Sequence, residues 1–536
     1  MLDLPLQLAP GEARPLFQQI AQQIVGFIQA GRLPRGRKLP PTRSLATACG
    51  VHRNTVIAAY NELNAQGYVE AGPGRGTFVA RQLPEDTVER SGQRSRPRSG
   101  PPPAARPAPR RGTRGEGPAF SRLGRALPGI DDRATLLEAR RSAGVNLNSG
   151  LLALDLFPWD TFRRVLDDVV GRQWRRLTQQ DHPLGLEGLR EALSEFLFSR
   201  GVTADPGEVV VTTGSQQALD LVARLYLEPG DQVAVENPGY PPARRRFELE
   251  GAALLALPVD AQGADIYRLA ALLRRGRAPR LKLVYLTPNC QWPTSVRLSA
   301  PRRALLAELA EEFEFLVIED DYAAEMRFQG PAVRPLYMSL PPGRCLNVGS
   351  FSKSLLPGLR LGFAVAPPEV TRRLAALKML TDSHSSLLVQ AAVAEFLTRG
   401  HFETHLRKLR RECRLRLEAL TGALRHEVGA ELCWTVPDAG TNLWCELQSG
   451  TSATALQEHC REQGLLFAAA APYFLPVGRM PQAGKHQLLL GFAAVPSARA
   501  AATARLFNDC LTSFRGGAAA APLGHKPVRL EPETER

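Results

Sequence analysis

The chain has 536 residues, 44% hydrophobic and 22% charged. That balance excludes a wholly disordered chain, a collagen-like repeat and a coiled-coil rod, and the length predicts at least two domains. The net charge of +14 is uneven: residues 1–80 carry 8 Lys/Arg against 4 Asp/Glu, residues 81–141 carry 14 Arg against 7 acids, and the remaining 45 basic and 42 acidic residues follow. Most of the excess thus sits in the first quarter, where a polyanion would bind. Within it, Phe17, Ile20, Ile24 and Ile28 recur at helical spacing and predict a first helix ending near Gly31. A short helix through Cys49 follows, with Thr42 as its expected N-cap. Gly50 makes a tight turn, and a further helix from near Arg53 buries Val56, Tyr60 and Leu63. Two short helices across a glycine turn form a helix-turn-helix, whose second helix can enter the major groove. GYVEAGPGRGTFVA then predicts two strands around a glycine-rich tip bearing Arg75.

Residues 81–141 are rich in Arg, Pro, Gly and Ser and poor in large apolar side chains until Phe120. Such a segment cannot bury enough surface to offset its ordering entropy, which predicts a disordered linker. From about Val145 the chain alternates helical patterns with short β-rich runs: EVVVTTG, DQVAVENPG, LKLVYLTPN, FEFLVIEDDY, CLNVGSFSK and LRLGFAVAP. That alternation predicts an α/β domain with a mostly parallel sheet over residues 142–512, then a flexible tail over 513–536. Eight scattered cysteines, without metal-ligand spacing, predict free thiols and no metal site. No signal peptide and no 20-residue apolar run is evident, so a cytoplasmic, non-membrane protein is expected.

Chemistry concentrates in GSFSKSLLPGLRLGF, residues 349–363. A lysine among small hydroxyl residues, with an arginine seven positions on, suits a cofactor carrying an aldehyde and a phosphate. Lys353 would form a Schiff base, with Ser350, Ser352 and Arg360 around the phosphate. In LVIEDDYAAEM, Asp320 at a strand end could hold a pyridine nitrogen protonated, and Tyr322 could donate to a ring hydroxyl. Gly214, Ser215 and Gln216 open a helix whose first amides would meet a phosphate. Tyr240, in VENPGYPP, could lay its ring against the cofactor. Taken singly, a solvated lysine loop or a strand ending in carboxylates would explain each; the four in order are far more specific.

The first unit, residues 12–80, closely resembles the winged helix-turn-helix of GntR-type bacterial regulators, whose pattern is matched from Leu39 to Leu63 almost throughout. His52 stands where serine is usual. By that resemblance Arg43, Arg53 and Thr55 contact the DNA backbone or base edges and Arg75 lies near the minor groove; Thr42, His52 and Asn54 complete the polar set. Residues 145–510 resemble the fold-type-I aminotransferase domain with its smaller C-terminal subdomain, in the arrangement of the MocR-type regulators. The resemblance implies pyridoxal 5′-phosphate on Lys353, with Asp320 on the pyridine nitrogen and Tyr322 on the phenolic oxygen. It also implies a domain-swapped homodimer.

The chain departs from that pattern in TPNCQWPTS, where these relatives commonly keep a histidine and a glycine and aminotransferases proper have Asn at the Trp292 position. QQDHPLG lacks its usual tyrosine. Before LLLGFA, Lys485, His486 and Gln487 stand where an arginine would clamp a substrate carboxylate. Schiff-base residues are kept and substrate-recognition residues altered. The favoured expectation is therefore a DNA-binding regulator whose aminotransferase-like domain senses a small amine, an amino acid or the cofactor itself. An active aminotransferase with an appended DNA-binding domain is the alternative, and a cofactor-free interaction protein the third.

Overall fold

The computed structural model describes residues 6–9, 15–72, 76–83, 120–127, 144–330, 333–448, 450–475 and 483–516. The chain divides into two compact units, Met1–Glu116 and Gly117–Arg536.

In the first unit, α1 (Leu16–Gln29) buries Ile20, Ile24 and Ile28 at four-residue intervals, one stripe of a 3.6-residue helix. α2 (Thr42–Cys49) ends at Gly50, whose φ of 63° reverses the chain without a Cβ clash, and α3 (Arg53–Ala65) buries Val56, Ala59, Tyr60 and Leu63. Strands β1 (Val69–Gly72) and β2 (Gly76–Val79) pair antiparallel, with Val69 opposite Val79. Backbone bonds from Leu39 to Thr77 and from Val79 to Arg37 attach the segment before α2 to this hairpin. Thr42 is not the N-cap expected of it: Pro41 takes that position, and Thr42 is the first helical residue. The ordered packing also starts before residue 12, since the Gln7 and Ala9 amides donate to the Gln23 and Gln19 side chains of α1.

The second unit is built on an eight-stranded sheet. In chain order its strands are β3 (Val209–Thr212), β4 (Gln232–Asn237), β5 (Ala253–Asp260), β6 (Gly263–Ala264), β7 (Leu281–Leu286), β8 (Leu316–Asp320), β9 (Cys345–Ser350) and β10 (Gly362–Val365). In space they run β3-β10-β9-β8-β7-β4-β5-β6. Neighbours from β9 to β5 are parallel; β10 is antiparallel to both β9 and β3. Every residue of β3, β8, β9 and β10 is buried, the sign of a sheet covered on both faces. A second, four-stranded antiparallel sheet gathers Leu432–Trp434, Asn442–Leu447, Gln487–Gly491 and Ala468–Ala469. The last helix runs Ala500–Arg515, so the ordered chain passes residue 512, where the tail was expected to begin. The expected linker lies mostly outside the described residues, and a five-residue helix, Arg122–Ala126, lies within it. Among the described residues no helix is long and apolar enough to cross a membrane.

Candidate functional site

On the first unit, the polar candidates gather at the start of α2 and α3. The Arg53 Nε donates to the Thr42 hydroxyl at 3.3 Å, tying the two helix starts together. The His52 ring Nδ1 accepts from the Asn54 amide at 3.3 Å, so His52 caps α3 as a serine would. Arg43, His52, Arg53 and Asn54 are exposed and Thr55 is half-buried, which leaves this helix start open to a groove. Arg75 lies outside the described residues.

On the second unit, the C-terminal ends of β3, β4, β7, β8 and β9 open on one side of the sheet, the place where α/β folds bind ligands. Lys353 stands in the turn after β9. Its Nζ donates to the Gly150 carbonyl at 2.8 Å and lies 6.0 Å from the centre of the Trp292 ring. Burial pushes its ammonium down to about 8, so the amine becomes mostly neutral only above that pH, well below the ordinary range of a lysine. A Cβ at Gly150 would fall 2.5 Å from that nitrogen, and only glycine leaves room for it. The Gly150 amide in turn donates to the Asn442 side chain at 2.9 Å, so the smaller sheet sets the lysine's partner.

Asp320 ends β8, only 3% exposed. Its Oδ2 accepts from the Tyr285 hydroxyl at 2.7 Å, while Oδ1 is buried with no hydrogen-bond partner among the described residues. Burial pushes its carboxyl up to about 6. A buried oxygen left without a donor is costly, and a protonated pyridine nitrogen would supply that donor.

Gly214 is the N-cap of helix Ser215–Tyr226, and the first amides of a helix have no acceptor of their own. Beside it stands Arg360, whose backbone is left-handed (φ 49°), a conformation that strains any residue but glycine. Its Nη2 donates to the Thr213 carbonyl at 3.2 Å. The Ser350 hydroxyl accepts from the Ser352 amide at 3.2 Å. Gln216 donates to the Tyr240 hydroxyl at 3.3 Å, and burial pushes that phenol up to about 12. Lysine, acid, helix start, guanidinium and hydroxyls thus form a cradle that fits a phosphorylated pyridine aldehyde. The Tyr322 hydroxyl faces the Cys290 sulfur at 3.5 Å.

Several neighbours escaped the sequence reading. Tyr285 lies inside an apolar strand, where a lone phenol was the only hint of a buried acid nearby. Lys378, fully buried, donates to Asp382, Gln217 and Ser385, and Gln217 accepts from the Thr213 amide, which braces the turn at Gly214. Around Trp292 the rings of Tyr240, Tyr322 and Tyr473 stand edge-on at 6.2, 5.6 and 6.2 Å. Tyr473 lies 324 positions from its partner Ser149, and no local pattern could have joined them.

A helix-turn-helix head joined in one chain to an aminotransferase-fold body defines a class of DNA-binding regulators. Comparison with known proteins gives the same division. Residues 16–79 match the gntR family of bacterial regulatory proteins, and residues 145–483 match aminotransferase class I and II. The chain is 32% identical over 490 residues to the probable rhizopine catabolism regulatory protein MocR of Rhizobium meliloti, covering 90% of each chain. It is 33% identical to the transcriptional regulator TauR of Rhodobacter capsulatus, over 88% of this chain and 92% of that one. Among solved structures, the α-aminoadipate aminotransferase LysN of Thermus thermophilus, complexed with a phosphopyridoxyl-leucine, is 31% identical with a TM-score of 0.66. That match covers 74% of this chain and 98% of LysN. The chain belongs to the MocR-type GntR regulators and is a pyridoxal-phosphate-dependent transcription regulator.

Proposed function

We propose that this regulator holds pyridoxal 5′-phosphate on Lys353 and senses a small amine, an amino acid or the cofactor itself at that lysine. The observation that carries this is the unpartnered Oδ1 of buried Asp320, in one cleft with a lysine whose amine is neutral above about pH 8. When bound, the cofactor supplies an aldehyde that exchanges between amines and an electron-withdrawing ring. In this assignment Asp320 holds a proton on the pyridine nitrogen, and Tyr285 keeps the other carboxylate oxygen occupied. Tyr322 donates to the phenolic oxygen and Tyr240 flanks the ring. Ser350, Ser352, Arg360, Gly214, Ser215 and Gln216 take the phosphate. Thr42, Arg43, His52, Arg53, Asn54, Thr55 and Arg75 face the DNA. An effector amine that displaces Lys353 frees the side chain from one fixed position. Such a change biases the arrangement of a domain-swapped homodimer and so the half-sites its two heads reach.

The altered carboxylate position, Lys485, His486 and Gln487 in place of an arginine, favours sensing over turnover of ordinary α-amino acids. The test adds a panel of amines and amino acids to the holoprotein. It follows cofactor absorbance together with binding to DNA selected by the protein from a random pool. The expected result is an amine that changes both signals with one concentration dependence. Sustained turnover with a keto acid at ordinary enzyme rates would instead establish the aminotransferase.

A further inference from the structure

Behind the cofactor cleft lies a second cavity, of about 910 Å³, a volume suited to a small molecule. Asp321, Glu325, Arg200, Glu403 and Arg410 all line it. Asp320 and Asp321 are consecutive at the end of an extended strand, which turns their side chains to opposite sides. Only Asp320 belongs to the cleft already described.

Arg327 and Arg334 line it as well, Arg327 bridged to Asp438, and the hydrogen-bonding groups of the remaining charged side chains are not all satisfied by one another. Arg200 and Glu403 bridge at 2.8 Å and satisfy each other. Arg410 donates through Nε to the Glu325 carbonyl at 2.6 Å, while its two terminal nitrogens have no acceptor among the described residues. Glu325 is 5% exposed, and its Oε2 has no hydrogen-bond partner among the described residues. Asp321 is met by the Asn289 side chain and is crowded by Glu319 and Glu325. Arg410, whose charge is met only at longer range by Glu403 and Glu325, thus keeps two nitrogens without an acceptor among the described residues. Glu325, faced at longer range by Arg200 and Arg410, keeps one oxygen without a donor among them. Leaving the buried Glu325 oxygen without a donor is costly, and a ligand that carries both an ammonium and a carboxylate would satisfy it together with Arg410.

We propose that this cavity is a second ligand site that takes a small zwitterion, its carboxylate against Arg410 and its ammonium against Asp321 and Glu325. An ammonium there also lies next to the backbone that carries Asp320, so occupancy couples to the cofactor cleft. This site stands or falls independently of amine exchange at Lys353. The test uses holoprotein whose link between Lys353 and the cofactor has been reduced with borohydride, which closes the cleft to amines. Calorimetry then measures glycine, β-alanine and 5-aminovalerate, a ladder of charge separations, against butylamine and butyrate. Saturable binding of at least one zwitterion is expected, at least tenfold tighter than either single-charge control. It should weaken at least tenfold in both Arg410→Gln and Asp321→Asn, with cofactor absorbance retained. If Arg410→Gln does not hold cofactor, Arg410→Lys serves in its place and should keep partial affinity. No saturable binding of any zwitterion, butylamine binding as tightly as the best of them, or affinity unchanged in both variants would overturn the proposal. Failure of the sensing reading would show separately, as an unreduced holoprotein whose absorbance no amine alters.

Discussion

The two units of this chain place their functional side chains in opposite environments. The head keeps Arg43, His52, Arg53 and Asn54 exposed on a small core built around Ile20, Ile24, Val56 and Leu63. Its candidates need little from the fold beyond a helix start held at the surface. The body encloses Asp320 and Lys353 at strand ends, and burial moves them to about 6 and about 8. A surface that meets a polyanion works by charge in water, whereas a cleft that holds an aldehyde works by removing water from its acid and its amine. The same contrast governs which substitutions are felt where.

The sharpest break between the units should come from Lys353→Ala. It is expected to abolish the visible absorbance of lysine-bound cofactor completely, while affinity for a single half-site of the DNA selected by the protein stays within twofold. Loss of DNA binding alongside the absorbance would show that the units are not separable. Next in size is the stability of the cofactor-free protein. Asp320 has a folded value near 6 against an ordinary 3.8, so its burial penalty is absent below the ordinary value and grows as pH rises through about 6. The wild type should therefore lose on the order of 3 kcal/mol relative to Asp320→Asn between pH 4 and pH 7. Urea titrations of both proteins across that range, without cofactor, measure the difference; parallel profiles would contradict the burial of this carboxylate.

Smaller effects test the head. Arg53→Ala should weaken DNA binding by about 1–3 kcal/mol and lower its salt dependence, with the cofactor spectrum unchanged. Fluorescence anisotropy at several salt concentrations reads both. His52→Ala should cost about 1 kcal/mol of head stability through the lost cap, whereas His52→Ser should restore it. Thermal melts of the three proteins distinguish a capping role from one confined to DNA contact, where melting would not change. A kinetic counterpart exists in the body: cofactor uptake by the cofactor-free protein should speed up as pH rises and level off above about 8, where Lys353 is neutral. A flat rate between pH 7 and 9 would show that the lysine is not depressed.

Legibility in the sequence followed how local each feature is. The helix-turn-helix was readable because Gly50, Arg53 and the Val56–Tyr60–Leu63 stripe fall within one short segment. The capping of α3 by His52 was not, because a histidine at that position announces no cap. Thr42 was misassigned because a threonine before a helical pattern ordinarily caps it, yet Pro41 already supplies the extended backbone that a cap position requires. In the body, Lys353, Asp320 and the Gly214 turn sit at strand ends, and β-rich runs mark those ends in the sequence. Their partners were hidden: Tyr285 on a neighbouring strand, Gly150 and Asn442 from segments 292 positions apart, and the Trp292 ring cluster.

By itself, then, the sequence determined the division into a basic head and a nearly neutral body, the strand-helix alternation, and the residues able to carry cofactor chemistry. These depend on composition, periodicity and short motifs. Only the tertiary structure decided which oxygen of Asp320 is left for a ligand, how far Lys353 is desolvated, and that Asp321 and Arg410 share a second cavity. Each of those depends on which distant side chains exclude water and which supply a partner, and that is settled when strands far apart in the chain are brought edge to edge.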